Sequence, residues 1–293
     1  MFAQFFGSYL LNSGLVSSKE LAQALEDKKN TRMKLGVLAI NAKLMTAEQV
    51  EAVHQAQATM DMRFGDLAVH LGFIKAEDVD TLLSQQPTDY LLLGQTLVNN
   101  GVLTNQQFET AINDYKQYHS LSDDDISNDQ NAKLSQIISE FYHFETAENA
   151  KTYTAYLNLL FKNLIRFIGD DFTPLEASVV RDYDANYFVY QSVSGNLNCE
   201  TGIEGEEYQY LKFASRFAGE DIREVGEFAH AAVGEFLNLH NGLFTVNLSN
   251  DFGVELNLNP QDYKENQTIT YANSAFCVPI SFSFGIINFI ISI

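Results

Sequence analysis

Residues 226–239 read Gly226-Glu227-Phe228-Ala229-His230-Ala231-Ala232-Val233-Gly234-Glu235-Phe236-Leu237-Asn238-Leu239. With Asp221 to Val225 ahead of them they carry one pattern. Val225, Phe228, Ala229, Ala232, Val233, Phe236 and Leu237 recur at helical spacing, which predicts an amphipathic helix over Asp221–Leu239, ended by Asn241-Gly242. Glu224, Glu227, His230, Gly234 and Asn238 fall broadly on the other side, with Glu235 beside them. The expectation is a packed helix whose outward ridge carries acid and hydrogen-bonding side chains.

The flanking sequence supplies a sheet for that helix. Leu134 to Ile168 carry two helical patterns, the second with Leu157, Leu160, Phe161, Leu164 and Ile168 as a wide apolar stripe before Gly169. Val179–Arg181 and Tyr187–Val193 read as strands, with Asp184-Ala185-Asn186 as turn material between them. Gly195–Gly205 continues as strand and loop, and Glu206–Phe217 is a short amphipathic helix. Leu243–Leu248, Val254–Leu258, Ala275–Phe284 and Ile286–Ile293 are strand candidates, the last two meeting in a hairpin at Gly285. Long helices among six or seven strands predict an α+β domain over residues 134–293.

The first part of the chain is organised differently. Gly7, Gly36, Gly65 and Gly94 stand 29 residues apart, and each opens the same pattern. Seven positions on come Gly14, Lys43, Gly72 and Gly101, and two further come Val16, Met45, Ile74 and Leu103. Ser17, Thr46, Lys75 and Thr104 are then followed three residues later by Glu20, Gln49, Asp78 and Gln107, the spacing of a helix capping box. Leu21, Val50, Val79 and Phe108, then Leu25, His54, Leu83 and Ile112, form the closing apolar stripe, with His54 read as a packed histidine. One helical hairpin cannot bury its own apolar face, so the four units must stack. The fold class is therefore multidomain: an all-α helical-hairpin repeat domain over 1–118, a polar linker over 119–133, and the α+β domain. The linker holds Asp123-Asp124-Asp125, but it lacks the glycine and terminal glutamate of a calcium-binding loop.

The formal net charge is −20, and most of it is in the second part. Residues 1–118 carry 9 basic and 13 acidic side chains; residues 119–293 carry 9 and 25. Such a field argues against nucleic acid and anionic membrane as partners of the second part and suits a partner with a basic rim. No phosphate-cradling glycine loop, nucleophile elbow or basic–aromatic RNA-binding surface occurs. The two cysteines, Cys199 and Cys277, lack metal-ligand spacing. With no secretory signal and no span suited to membrane insertion, the expectation is a cytoplasmic protein with free thiols and no metal site of its own.

Two resemblances sharpen these readings. The run Gly226-Glu227-Phe228-Ala229-His230-Ala231-Ala232-Val233-Gly234-Glu235 resembles the active helix of the CheX/CheC chemotaxis family, whose motif is Gly-Glu-x-x-Asn-x-x-x-Gly-Asn. That resemblance implies a partner, the phosphorylated CheY-type receiver domain, and an aspartyl-phosphate phosphatase chemistry. An acid docks on the receiver's lysine, a side-chain amide orients the attacking water, and Mg²⁺ belongs to the receiver. In one register Glu227 is the acid and His230 replaces the asparagine, keeping the glycines; this is the preferred one. In the other, Glu235 and Asn238 keep acid and amide three residues apart. Both a phosphatase and a binding-only descendant fit the motif. The repeats resemble the N-terminal domain of type II secretion and pilus assembly ATPases, one branch of which binds cyclic di-GMP. That resemblance implies Arg63, Gly65, Gly72 and Gln86 as nucleotide-binding positions. A non-catalytic homodimer, paired through exposed strand edges at the terminal hairpin, is the third expectation.

Overall fold

The computed structural model describes residues 2–84, 88–122, 131–144 and 149–293. They form two compact units, Phe2–Asp129 and Gln130–Ile293. The aspartate run 123–125 and most of the expected linker lie outside the described residues.

The first unit is built of helix pairs: α1 (Phe2–Asn12) with α2 (Ser18–Asp27), α3 (Leu35–Asn41) with α4 (Ala47–Gln57), α5 (Phe64–His70) with α6 (Ala76–Ser84), and α7 (Asp89–Asn99) with α8 (Asn105–Tyr118). Each pair turns at a left-handed residue: Gly14, Lys43, Gly72 and Gly101 have φ of 67°, 56°, 73° and 70°. Lysine pays a steric cost there that glycine does not. Complete capping boxes start α2, α4 and α8, and Asp78 accepts from the Lys75 backbone N–H at 2.8 Å ahead of α6. Gly36, Gly65 and Gly94 sit where a Cβ would press on Val50, Val79 and Phe108, so glycine there allows the two helices of a pair to close together.

The pairs do not follow one another in space. Helices α1 and α2 pack on α7, α3 and α4 pack on α8, and α4 also packs on α5. The spatial order is first, fourth, second, third. Asn41 ties the second and fourth pairs, accepting from the Tyr90 hydroxyl at 2.9 Å and the Lys116 ammonium at 2.7 Å. The third pair is thus terminal, and its closing stripe residue Leu83 is 66% exposed, whereas Leu25 and Ile112 are buried. His54, expected in the core, is likewise exposed, its ring resting against Phe64.

The second unit adds α9 (Asn131–Phe141), α10 (Ala150–Phe167), α11 (Glu207–Ala218) and α12 (Glu227–Phe252) to six strands. These are β1 (Phe172–Pro174), β2 (Ser178–Gly195), β3 (Cys199–Gly205), β4 (Leu256–Leu258), β5 (Asp262–Phe282) and β6 (Gly285–Ser292). The order is β1-β5-β6-β3-β2-β4, all antiparallel, and β5 also pairs with β2 from Ser178↔Cys277 to Tyr190↔Asp262. That extra pairing curls β5, β6, β3 and β2 into a closed ring. Helices α11 and α12 cover one face, where Phe213 meets Phe236, Phe282 and Phe289 edge-on. The other face buries Phe188, Ile269, Tyr271, Cys277 and Ile290.

Three expectations are corrected here. Residues 184–186 are not a turn: β2 runs through them, because Ala185 is buried and Asp184 and Asp182 pair across the ladder with Thr268 and Thr270. Leu243–Leu248 is helix, not strand. The stripe of Leu237, Asn241, Phe244 and Leu248 continues at helical spacing, and α12 ends only at Gly253, in the left-handed conformation. Asn241-Gly242 does not stop it, since the Asn241 side chain is fully buried and partnered. At its other end α12 begins at Glu227, six residues later than the apolar spacing suggests.

Candidate functional site

Helix α12 has its inner side fixed by core contacts along most of its length, so its outer side chains are held on a rigid rod. Glu227 opens the helix next to its N-cap Gly226, where the helix dipole favours a carboxylate. Glu227, Ala231 and Glu235 are exposed, four residues apart, and form a straight ridge. Asn238 lies on the flank of that ridge and is half-buried. Phe228 is 57% exposed although its spacing places it with the core residues; with the helix starting at Glu227, it stands in the first turn, beyond the packed surface.

His230 is not on the ridge. It is 5% exposed, and its ring is stacked on Tyr263 of β5 with centroids 4.1 Å apart and planes 7° from parallel. Its Nε2 lies 2.8 Å from the Glu265 carboxylate, and its Nδ1 lies 2.9 Å from the Tyr210 hydroxyl. A carboxylate only accepts, so Nε2 carries a proton. Burial, with the Glu265 charge adding to it, pushes the Tyr210 hydroxyl far above the usual phenol range. The imidazole is clamped between two elements and has no face open to a visiting group.

Asn238 is held from behind. Its Oδ1 accepts from Gln191 Nε2 of β2 at 2.8 Å, and the same nitrogen donates to the Asn259 backbone carbonyl at 2.8 Å. Gln191 Oε1 accepts from Asn241 Nδ2 at 3.0 Å, and Asn241 Oδ1 accepts from the Tyr156 hydroxyl at 3.1 Å. Thr201 closes the cluster, accepting from Asn241 Nδ2 at 2.9 Å. Gln191, Tyr156 and Thr201 are not among the residues that the sequence points to, and Asn241 enters there only as a helix end. One signal was present: Gln191 shares the inward alternation of Val189 and Val193, an apolar position held by an amide.

Three of the positions that the second resemblance implies for nucleotide binding fall on α5 and the turn after it. Arg63 is exposed at the N-cap of α5, Gly65 is buried against Val79 and Leu35, and Gly72 occupies the exposed turn after the helix. Gly65 and Gly72 are separated by a helix rise of about 10 Å. Gln86 lies outside the described residues. Among the described residues no group of three His, Cys, Asp or Glu side chains could hold a metal ion, and no helix is long and apolar enough to cross a membrane. Cys199 and Cys277 are both free and buried.

No family model matches the chain, and no curated protein matches it. Solved structures do. A CheX chemotaxis protein of Desulfovibrio desulfuricans is 15% identical, with 48% of this chain and 98% of that chain covered at a TM-score of 0.43. CheX of Vibrio vulnificus is 17% identical, with 48% and 97% covered at 0.42. A CheX–CheY–BeF₃–Mg²⁺ complex of Borrelia burgdorferi is 16% identical, with 48% and 96% covered at 0.40.

Proposed function

We propose that this chain is a signalling protein of chemotaxis type whose α12 ridge docks the phosphorylated face of a CheY-type receiver domain. The observation that carries this reading is the pairing of an exposed acid, Glu235, with an amide, Asn238, one helical turn apart on a helix anchored through its opposite side. Glu235 supplies the carboxylate for the receiver's lysine, and Asn238 stands where it can reach the acyl phosphate. Glu227 extends the acidic ridge by two further turns. Mg²⁺ stays with the receiver. The Glu227/His230 pairing drops out of this reading because the imidazole is enclosed. The strongly acidic second part of the chain adds attraction toward a basic rim.

Calorimetry with a Mg²⁺- and beryllofluoride-loaded receiver tests it. Binding is expected for the loaded receiver, and Glu235→Ala is expected to weaken it by about tenfold. No heat at ~100 μM receiver, a concentration that would reveal even weak complexes, removes the proposal.

A further inference from the structure

Which end of the Asn238 amide meets a visitor is decided by the groups behind it. The Asn259 backbone carbonyl can only accept, so the Gln191 atom 2.8 Å from it is the nitrogen. That nitrogen also faces Asn238 at 2.8 Å, so the Asn238 atom turned inward is Oδ1. The far end of Gln191 is then oxygen, and it accepts a hydrogen bond from Asn241 Nδ2. Asn241 Oδ1 in turn accepts a hydrogen bond from the Tyr156 hydroxyl, which stays protonated because burial raises its pKa far above the phenol range. Every bond in the chain points one way. The Asn238 Nδ2 is left without an acceptor among the described residues, and it is not among the buried unpartnered atoms, so it faces solvent. Turning this amide over would set two N–H₂ groups against each other, a penalty of about tenfold or more in population.

We propose that Gln191 is a positioning residue that fixes Asn238 with its N–H₂ outward, making the ridge a donor to the phosphoryl oxygens of the receiver's acyl phosphate and not an acceptor for attacking water. This rests on the docking reading above. In hydrolysis the water oxygen bonds to phosphorus, the bond to the aspartyl oxygen breaks with its electron pair leaving on the carboxylate, and the water must lose a proton. That proton passes to a phosphoryl oxygen with or without the ridge; an outward N–H₂ could hold the water only by donating to its oxygen, which takes up the lone pair the attack needs, and Glu235 is occupied by the receiver's ammonium. The ridge therefore grips the phosphorylated receiver without shortening the life of its phosphate.

The test uses the full chain with ¹⁵N-labelled asparagine side chains, the Asn238 signal being assigned as the one lost in Asn238→Asp. The Asn238 N–H₂ protons are expected to exchange quickly with water in the wild type. They are expected to become protected on adding the beryllofluoride-loaded receiver. Gln191→Glu offers an acceptor to Asn238 and is expected to turn the amide inward, slowing exchange in the free protein; Gln191→Leu, free of any buried charge, is expected to let both orientations appear. Asn238→Asp is expected to weaken receiver binding by about tenfold with its melting temperature unchanged. Phosphate loss from an acetyl-phosphate-labelled receiver is expected at the receiver's own rate with wild type. Protected Asn238 protons in the free wild type, or faster phosphate loss with it, overturn the proposal. A receiver that does not bind at all sinks the docking reading, while the exchange measurement still judges the orientation of the amide.

Discussion

His230 shows how far one side chain can depart from what its spacing implies. In the register that keeps the motif glycines it would stand for the asparagine, yet Tyr263 and Glu265 of β5 cover it. It serves as a hydrogen-bonded link between α11, α12 and β5. His230→Ala leaves a buried tyrosine hydroxyl unpartnered and is expected to cost about 1–3 kcal/mol, read as a lower urea midpoint at constant m-value. His230→Asn, which would restore an amide in the Glu227 register, is expected to leave receiver phosphate loss unchanged. His240 offers a pH test. It is fully buried, with Nδ1 3.0 Å from the Asn163 amide and Nε2 unpartnered, and burial pushes its pKa down to about 3. The unfolded chain takes up the proton near pH 6.5 and the folded one only near 3, so the unfolded state binds more protons between those limits. Stability is full above pH 6.5 and falls as pH drops, by up to about 1.4 kcal/mol per unit from this group. Urea titrations between pH 7 and 5 should show that slope flattened in His240→Leu, even if the variant is less stable throughout.

At the scale of elements, the helix hairpins depend on two kinds of backbone position. Lys43 takes the left-handed turn that Gly14, Gly72 and Gly101 take elsewhere. Lys43→Gly is expected to raise stability by about 0.5–1 kcal/mol, visible as a higher thermal midpoint. Gly94 is the opposite case, since a methyl group there collides with the buried Phe108 ring. Gly94→Ala is expected to destabilise by about 1–3 kcal/mol despite the better helix propensity of alanine. Helix α12 shows what local pattern conveys and what it omits. The apolar repeat located its inner stripe, but the Asn241-Gly242 pair suggested an end that tertiary contacts override. A buried asparagine with all its hydrogen bonds made no longer competes with the helix backbone. The same holds for β2, where cross-strand threonine–aspartate pairs carry a strand through residues that favour turns in isolation.

At the scale of the whole molecule, charge is the property most open to measurement. With 25 acidic and 9 basic side chains beyond residue 118, docking of a basic-rimmed receiver is expected to weaken steadily between low and high salt, chiefly through the association rate. Stopped-flow mixing at rising ionic strength reads this directly; a rate that ignores salt argues against a field-guided encounter.

Sequence alone determined what depends on short-range chemistry: the 29-residue recurrence, the glycines at hairpin turns, the capping boxes, and the acid and amide one turn apart on α12. These follow from dihedral preference and spacing, which act within a few residues. Tertiary structure decided which pair of helices stacks on which, that His230 is enclosed, and that Gln191 and Asn241 stand behind Asn238. Those outcomes come from segments 20 residues or more apart along the chain competing for the same buried surface and hydrogen-bond partners, a competition that no local pattern records.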